Sequence, residues 1–156
     1  MQNKFDPSKG HLQILLNELN SSVGKEEKRY FHINTLENLI FHFEEIKTEN
    51  DKTWVYENLV EYFKKCSEIT ASIDRNTSKG LFYEHIDKIT DYYHSNLGFV
   101  MLVNRSIVYL IYFLILLVCY TFFNLYVVSL VASFFIYQII RVFKKYKAKQ
   151  VYGLFW

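Results

Sequence analysis

Five acidic and imidazole side chains lie close together in one short segment of the sequence. They are the residue types that act in general acid–base catalysis and in metal binding: Glu84, His85, Asp87, Asp91 and His94. Asp91 and His94 are three residues apart, so a helix would place both on one face, where they could bind a metal ion. A solvated polar helix face explains the same residues without a ligand, and we adopt that interpretation.

Sequence motifs for catalysis are absent from the rest of the chain. No glycine-rich phosphate loop, nucleophile elbow or His-Glu-x-x-His sequence occurs. The two cysteines, Cys66 and Cys119, lie in a charged and in an apolar part of the chain, which makes them poor candidates for a mutual disulfide. We therefore predict no catalytic, cofactor-binding or metal-binding residue and no enzymatic activity.

The charge of the chain divides it into two parts. All 16 acidic residues lie at or before Asp91. Residues 1–98 also carry 12 Lys and Arg, which gives them a net charge of −4. Residues 99–156 carry 6 basic residues and no acid. The acidic first part disfavours direct binding of nucleic acid, because such binding needs a basic surface. This distribution predicts a domain in water followed by a segment in a lipid bilayer.

The first part is predicted to fold into helices, which gives an all-α fold class. Apolar residues recur at spacings of three and four over four stretches joined by polar turns. The first three stretches begin near residues 8, 25 and 54. Asp51 or Thr53 is predicted to cap the third, and Thr77 or Ser78 the fourth. The first three end near residues 22, 47 and 73. We predict that residues 1–98 form a soluble four-helix domain.

Residues 107–140 form a run of 34 residues without a charged side chain. One membrane span needs about 20 residues, so the run is too long for a single ordinary span and just long enough for two short ones. Asn124, near its middle, is the best place for a turn. We predict that residues 99–143 form a two-span transmembrane helical hairpin; one very long helix is the alternative.

Basic residues flank both predicted spans. Arg105 precedes the first, and Arg141, Lys144, Lys145, Lys147 and Lys149 follow the second. A hairpin places all six on one side of the membrane, where they are predicted to bind lipid headgroups. By the positive-inside rule this side is the cytoplasm, so both termini are expected there.

Polar residues within the apolar run predict self-association. Ser129 and Ser133 are small residues four apart, a spacing that lets two membrane helices approach closely. Asn124 and Gln138 each carry an amide that needs a hydrogen-bond partner in hydrocarbon. We predict that these four residues form an interface between copies of the chain.

The end of the chain, residues 144–156, is a basic and aromatic tail. Tyr152, Phe155 and Trp156 suit the headgroup layer, where aromatic rings bury their bodies and keep a polar edge in water. Docking on a protein partner is an equally good interpretation. We therefore predict that these three residues anchor the tail to a partner or to the membrane interface.

The layout of a helical cytosolic domain followed by a short apolar hairpin resembles that of reticulon-type membrane-shaping proteins and of two-span bacterial membrane effectors. We expect a non-catalytic integral membrane protein that self-associates through its hairpin, as a pore-forming or membrane-perturbing effector or as a subunit of a membrane complex with a cytosolic docking domain. Its partners would be the bilayer, further copies of itself and a cytosolic protein. A membrane-shaping hairpin and a membrane-anchored enzyme are the alternatives.

Overall fold

The computed structural model of the chain describes residues 7–69, 73–102, 105–123 and 125–153, without the side chains of Arg105 and Ser106. The predictions for Asn124, Phe155, Trp156 and the Arg105 side chain therefore lie outside the description. The described residues divide into two compact units. We call the first the bundle: it contains the described residues up to Phe99 together with Tyr152 and Gly153. The second, the apolar unit, is Val100–Val151.

Helices make up most of both units, which confirms the predicted all-α class. The bundle contains α1 (Lys9–Ser22), α2 (Ile33–Phe41), a 3₁₀ turn (Phe43–Glu45), α3 (Glu49–Ser67), α4 (Arg75–Leu81), a π turn (Phe82–Ile86) and α5 (Asp87–Leu97). The apolar unit contains α6 (Arg105–Phe122) and α7 (Leu125–Lys147). Two-residue strands, β1 (Val100–Met101) and β2 (Val151–Tyr152), form a small sheet.

The bundle has one continuous apolar core. The predicted stripes of all four helical stretches contribute to it, and its fully buried members include Leu12, Leu36, Ile40, Leu59, Tyr62, Ile86, Ile89 and Tyr93. Each large apolar side chain removed from water stabilises the fold by about 1.5–3 kcal/mol. The buried hydroxyl groups of Tyr62 and Tyr93 each donate to a backbone carbonyl, at 3.0 and 2.9 Å. The core is therefore large enough to hold five short helices together.

The prediction of a helix from residue 25 to residue 47 is wrong for residues 25–32. Residues 25–32 form successive turns, which end at His32 in the left-handed region with φ 51°. Backbone carbonyls inside this segment accept hydrogen bonds from the Ser78 hydroxyl at 2.6 Å and from the Tyr62 hydroxyl at 3.0 Å. Side chains from α3 and α4 thus satisfy carbonyls that a helix would satisfy locally.

Two helix starts also differ from the prediction. Thr48 caps α3 by accepting a 3.2 Å hydrogen bond from the Asp51 N–H, and Asp74 caps α4 by accepting two bonds, at 2.7 and 2.8 Å. These backbone donors lower the pKa of Asp74, so its cap is retained above the ordinary carboxyl pKa and lost as the pH falls through the lowered value. The predicted caps, Asp51 or Thr53 and Thr77 or Ser78, lie inside the helices.

The last described residues belong to the bundle. The Thr35 hydroxyl on α2 donates to the Gly153 carbonyl at 3.0 Å, and the Gly153 N–H donates to the same hydroxyl at 3.1 Å. Thr35 and Gly153 are both buried. Tyr152 is 8 % exposed, and its burial, with the nearby Asp91 and Asp87 carboxylates, raises its pKa. The chain therefore leaves the bundle after Phe99 and rejoins it at Tyr152.

Replacing Thr35 with Val should destabilise the bundle. Valine keeps the shape but removes the hydroxyl, so the buried N–H and C=O of Gly153 lose their partner. We expect the free energy of unfolding to fall by about 1–3 kcal/mol, measured by denaturant titration of the full chain in detergent. Thr53→Val, at a half-buried position on α3, is the matched control. Equal stabilities of the two variants would contradict the role of Thr35.

Candidate membrane-binding unit

The two helices of the apolar unit expose large apolar side chains along most of their length. Near the ends that adjoin residues 123–125, Phe122, Leu125 and Tyr126 are 79, 75 and 84 % exposed. Other exposed members are Ile107, Leu110, Phe113, Leu117, Leu130, Phe134, Ile136 and Ile140. Soluble monomers rarely expose apolar patches larger than a few hundred Å². This surface needs a cover of lipid or protein.

Within the unit, α6 and α7 pack against each other in opposite directions. Tyr112 of α6 stacks on Phe135 of α7, with ring centroids 4.1 Å apart and planes 4° from parallel. Val108, near the start of α6, shares a cavity with Val142, near the end of α7. The less exposed residues of α7 recur at spacings of three and four, as expected for a helix that faces one neighbour: Val128, Val131, Phe135, Gln138, Val142 and Lys145.

Each of the two helices contains a largely apolar stretch of the same length. These stretches cover Ile107–Phe122 in α6 and residues 125–140 in α7, sixteen residues each. Among the described residues, α7 alone is long and apolar enough to cross a membrane, with a mean hydropathy of 1.8 over its best window, and almost none of that window is buried. The finding supports one possible span. The second span remains a prediction.

Ser129 and Ser133 lie on the exposed side of α7. Each hydroxyl donates to a carbonyl of its own helix: Ser129 to Tyr126 and Ser133 to Ser129, both at 2.8 Å. The packing of α6 on α7 leaves this small-residue face uncovered, and neither hydroxyl needs a partner from elsewhere. The face is thus available for close approach by another helix.

Gln138 lies on the other side of α7, towards α6. It is half-buried and lines a cavity of about 220 Å³ between the two helices. We call this cavity the slot; its lining includes Val108, Tyr109 and Tyr112 from α6 and Gln138, Val142 and Phe143 from α7. The structure therefore separates Gln138 from Ser129 and Ser133, which the sequence assigned to one interface.

The basic residues that follow the apolar run gather at the end of α7. Lys145 is half-buried, and its Nζ donates to Gln150 Oε1 at 2.7 Å. The Lys147 ammonium lies 4.8 Å from the centroid of the Phe143 ring, which lines the slot. The side chains of Arg141 and Lys144 are exposed, as is Lys149, which has a left-handed φ of 56°. The slot therefore lies at the same end of the apolar unit as the basic residues of α7.

Among the acidic and imidazole residues of the π turn and α5, a Glu84 carboxylate oxygen lies 3.8 Å from His85 Nε2. Glu84 is exposed and His85 is buried, and the His94 Nδ1 donates to the Phe99 carbonyl at 2.6 Å, which fixes the end of α5. No group of three His, Cys, Asp or Glu side chains that could hold a metal ion occurs among the described residues. The neighbouring Asp91 remains exposed.

A larger cavity, of about 800 Å³, lies between α1 and α3 in the bundle. It is lined by apolar side chains and by a few polar ones, among them His11, Glu18, Glu27 and Lys64. Cys66 also lines it, but the thiol is buried and its pKa is raised to about 12 by burial. A thiol in that state is a poor nucleophile at neutral pH.

Sequence reasoning missed the attachment of Tyr152 and Gly153 to the bundle. The only signal was indirect: apolar residues return at 151–152 after a lysine-rich stretch, which a membrane interface would explain equally well. The partner, Thr35, is 118 residues away from Gly153 in the sequence, and no local pattern identifies it. Comparison with known proteins adds no assignment, since no family model, no curated protein and no solved structure gives a significant match to this chain.

Proposed function

We propose that this chain is a non-catalytic integral membrane protein whose α6 and α7 insert into a bilayer as a two-span hairpin and assemble with further copies of the chain. The exposed, uncharged surface of the two helices carries this proposal. Each large apolar side chain left in water forgoes about 1.5–3 kcal/mol. Summed over the exposed residues of α6 and α7, the gain on transfer to hydrocarbon reaches tens of kcal/mol by the same scale.

The chain path supports two crossings rather than one. Phe99 and Tyr152, on either side of the apolar unit, both belong to the bundle. Phe99 is fully buried there, with its ring 5.0 Å from that of Tyr93 and its N–H bonded to the Tyr93 carbonyl at 3.2 Å. A folded domain cannot lie on both sides of a bilayer. If α7 crosses, α6 must therefore cross as well.

The basic residues support a cytoplasmic position for the bundle. Arg141 and the lysines that follow it lie in the chain between the apolar run and Tyr152. The positive-inside rule assigns such basic residues to the cytoplasmic side. Anionic lipids are concentrated in that leaflet and attract basic segments next to a span. The bundle would then act in the cytoplasm as the docking or control module.

Self-association is supported by the face of α7 that α6 leaves uncovered. Ser129 and Ser133 are exposed there, and their hydroxyls are already bonded within the helix. Close packing of helices in lipid relies on van der Waals contact between small residues, so a face of this kind favours a second helix over lipid.

Replacing both serines by leucine should dissociate the assembly. The two larger side chains would hold the helices apart and remove close contact. We expect the mass of the detergent-solubilised protein, measured by light scattering, to shift from a discrete oligomer towards the monomer, with apparent dissociation constants raised about tenfold or more, which corresponds to 1.4 kcal/mol.

The control is Thr121→Leu on α6, an exposed threonine whose hydroxyl also bonds to its own helix, at 2.9 Å. It makes the same kind of change outside the Ser129 face and should leave the mass unchanged. A wild-type protein that is monomeric over a wide range of detergent and protein concentrations would refute self-association.

Membrane shaping is the second candidate, and the length of the helices favours it. Sixteen uncharged residues of helix extend about 24 Å, whereas the hydrocarbon core of a typical bilayer is about 30 Å thick. A hairpin that is too short to reach the far side inserts as a wedge from one side, and a wedge bends the membrane. The two candidates differ in whether position 123 reaches the far side.

A further inference from the structure

We propose that the slot between α6 and α7 is a binding site for one anionic phospholipid, with an acyl chain in the slot and the phosphate near Lys145 and Lys147. The proposal rests on the insertion of α6 and α7 into a bilayer. It adds a ligand class and a site to that function.

The position of the slot places it at headgroup level. Val108 and Tyr109 lie near the start of α6, whereas Val142 and Phe143 follow Arg141, the first charged residue after the apolar run. The slot therefore spans the boundary between hydrocarbon and headgroups. Lipid acyl chains are the apolar groups present at that depth.

The lining matches an acyl chain joined to a polar group. Aliphatic side chains, Val108, Ile139 and Val142, provide apolar walls, and the Gln138 amide adds a polar group to the lining. A volume of about 220 Å³ is smaller than the 300–1,000 Å³ of typical ligand pockets. Part of one acyl chain fits such a volume better than a bulky ring system does.

Two ammonium groups provide the charge complement. The Lys147 Nζ lies over the ring of Phe143, a lining residue, at 4.8 Å. Lys145 follows Val142 by three residues and is half-buried on the α6-facing side of α7. Its Nζ donates to Gln150 Oε1, and an ammonium has three donors, so a phosphate can still accept from it. The apolar unit itself contains no acidic residue.

Native mass spectrometry of the full chain in detergent, titrated with 1-palmitoyl-2-oleoyl phosphatidylglycerol or the corresponding phosphatidylcholine, tests the site. We expect one phosphatidylglycerol per chain to bind at least tenfold more tightly than phosphatidylcholine. Lys145→Gln with Lys147→Gln should weaken phosphatidylglycerol binding about 25-fold, since each basic residue near a membrane surface contributes about fivefold.

Two matched controls separate a built site from general attraction. Arg141→Gln with Lys144→Gln removes the same two charges from exposed positions and should change the affinity less than about threefold. Val142→Phe should fill the slot and abolish the tight site while both lysines remain, whereas Ile140→Phe, at a residue that is 48 % exposed, should not. Circular dichroism checks that each variant keeps its helices.

Equal weakening by the two double substitutions, or unchanged binding in Val142→Phe, would overturn the lipid site. Flotation with vesicles of pure phosphatidylcholine tests insertion separately. A chain that does not float with these vesicles contradicts the proposed function itself. A chain that floats but binds both lipids equally contradicts the slot proposal alone.

Discussion

Single cysteines at positions 8 and 148 should react with a membrane-impermeant maleimide from the same side of sealed vesicles. Ser8 and Ala148 are exposed, and the proposed hairpin, whose two ends both join the bundle, places these positions on one side. The experiment uses the Cys119→Ala background. Cys66 provides an internal control, because its buried thiol, with a pKa near 12, stays unlabelled while the bundle is folded.

A cysteine at position 123 extends this test to the depth of insertion. Phe123 is 57 % exposed next to the end of α6. In a two-span hairpin the new cysteine should react only from the side opposite positions 8 and 148. In a wedge it should be protected from both sides. Labelling of positions 8 and 148 from opposite sides would refute the hairpin and require a single crossing.

Replacing Ile40 by Asp should prevent the bundle from folding. Ile40 is fully buried in α2, and α2 also carries Thr35, which holds the end of the chain. An unpaired carboxylate at this position must be either desolvated or protonated, and either state costs several kcal/mol. Such a loss is comparable with the whole stability of a small domain, about 5–15 kcal/mol.

The rate of Cys66 labelling in detergent reports on the bundle alone, whereas total helicity would also include α6 and α7. We expect the Ile40→Asp variant to react as fast as the urea-unfolded chain. Ile14→Asp introduces the same residue on α1 at a side chain that is 56 % exposed, and it should change stability by about 0.5 kcal/mol or less. Protection of Cys66 in the Ile40→Asp variant would show that the core tolerates a charge.

The interior of the bundle shows how far local patterns lead. The first helix, Lys9–Ser22, agrees with the stripe Leu12, Leu15, Leu16 and Leu19. The turn that ends at His32 was not predictable, because hydrogen bonds that shape it come from the distant Ser78 and Tyr62 side chains. Hydrophobic periodicity indicates which side of a segment is buried, but it does not indicate hydrogen-bond donors that are distant in the sequence.

The same limit applies to the apolar unit. Ser129, Ser133 and Gln138 lie on α7, and helical spacing places Gln138 opposite Ser129, but it could not tell which of the two sides meets α6. Packing of Tyr112 on Phe135 turns Gln138 towards α6 and leaves the two serines outside. The packing around this ring pair thus decides which polar group faces α6 and which side of α7 stays exposed.

By itself, the sequence determined the helical class, the division between an acidic part and an apolar, basic part, and the positions at which charge stops and resumes. These properties follow from composition and short-range periodicity, which each segment carries locally. Only the tertiary structure decided that Gly153 returns to Thr35, which face of α7 meets α6, and that the slot lies between these two helices. Such contacts join residues far apart in sequence, and they form only when the whole chain packs to satisfy buried polar groups and to fill its core.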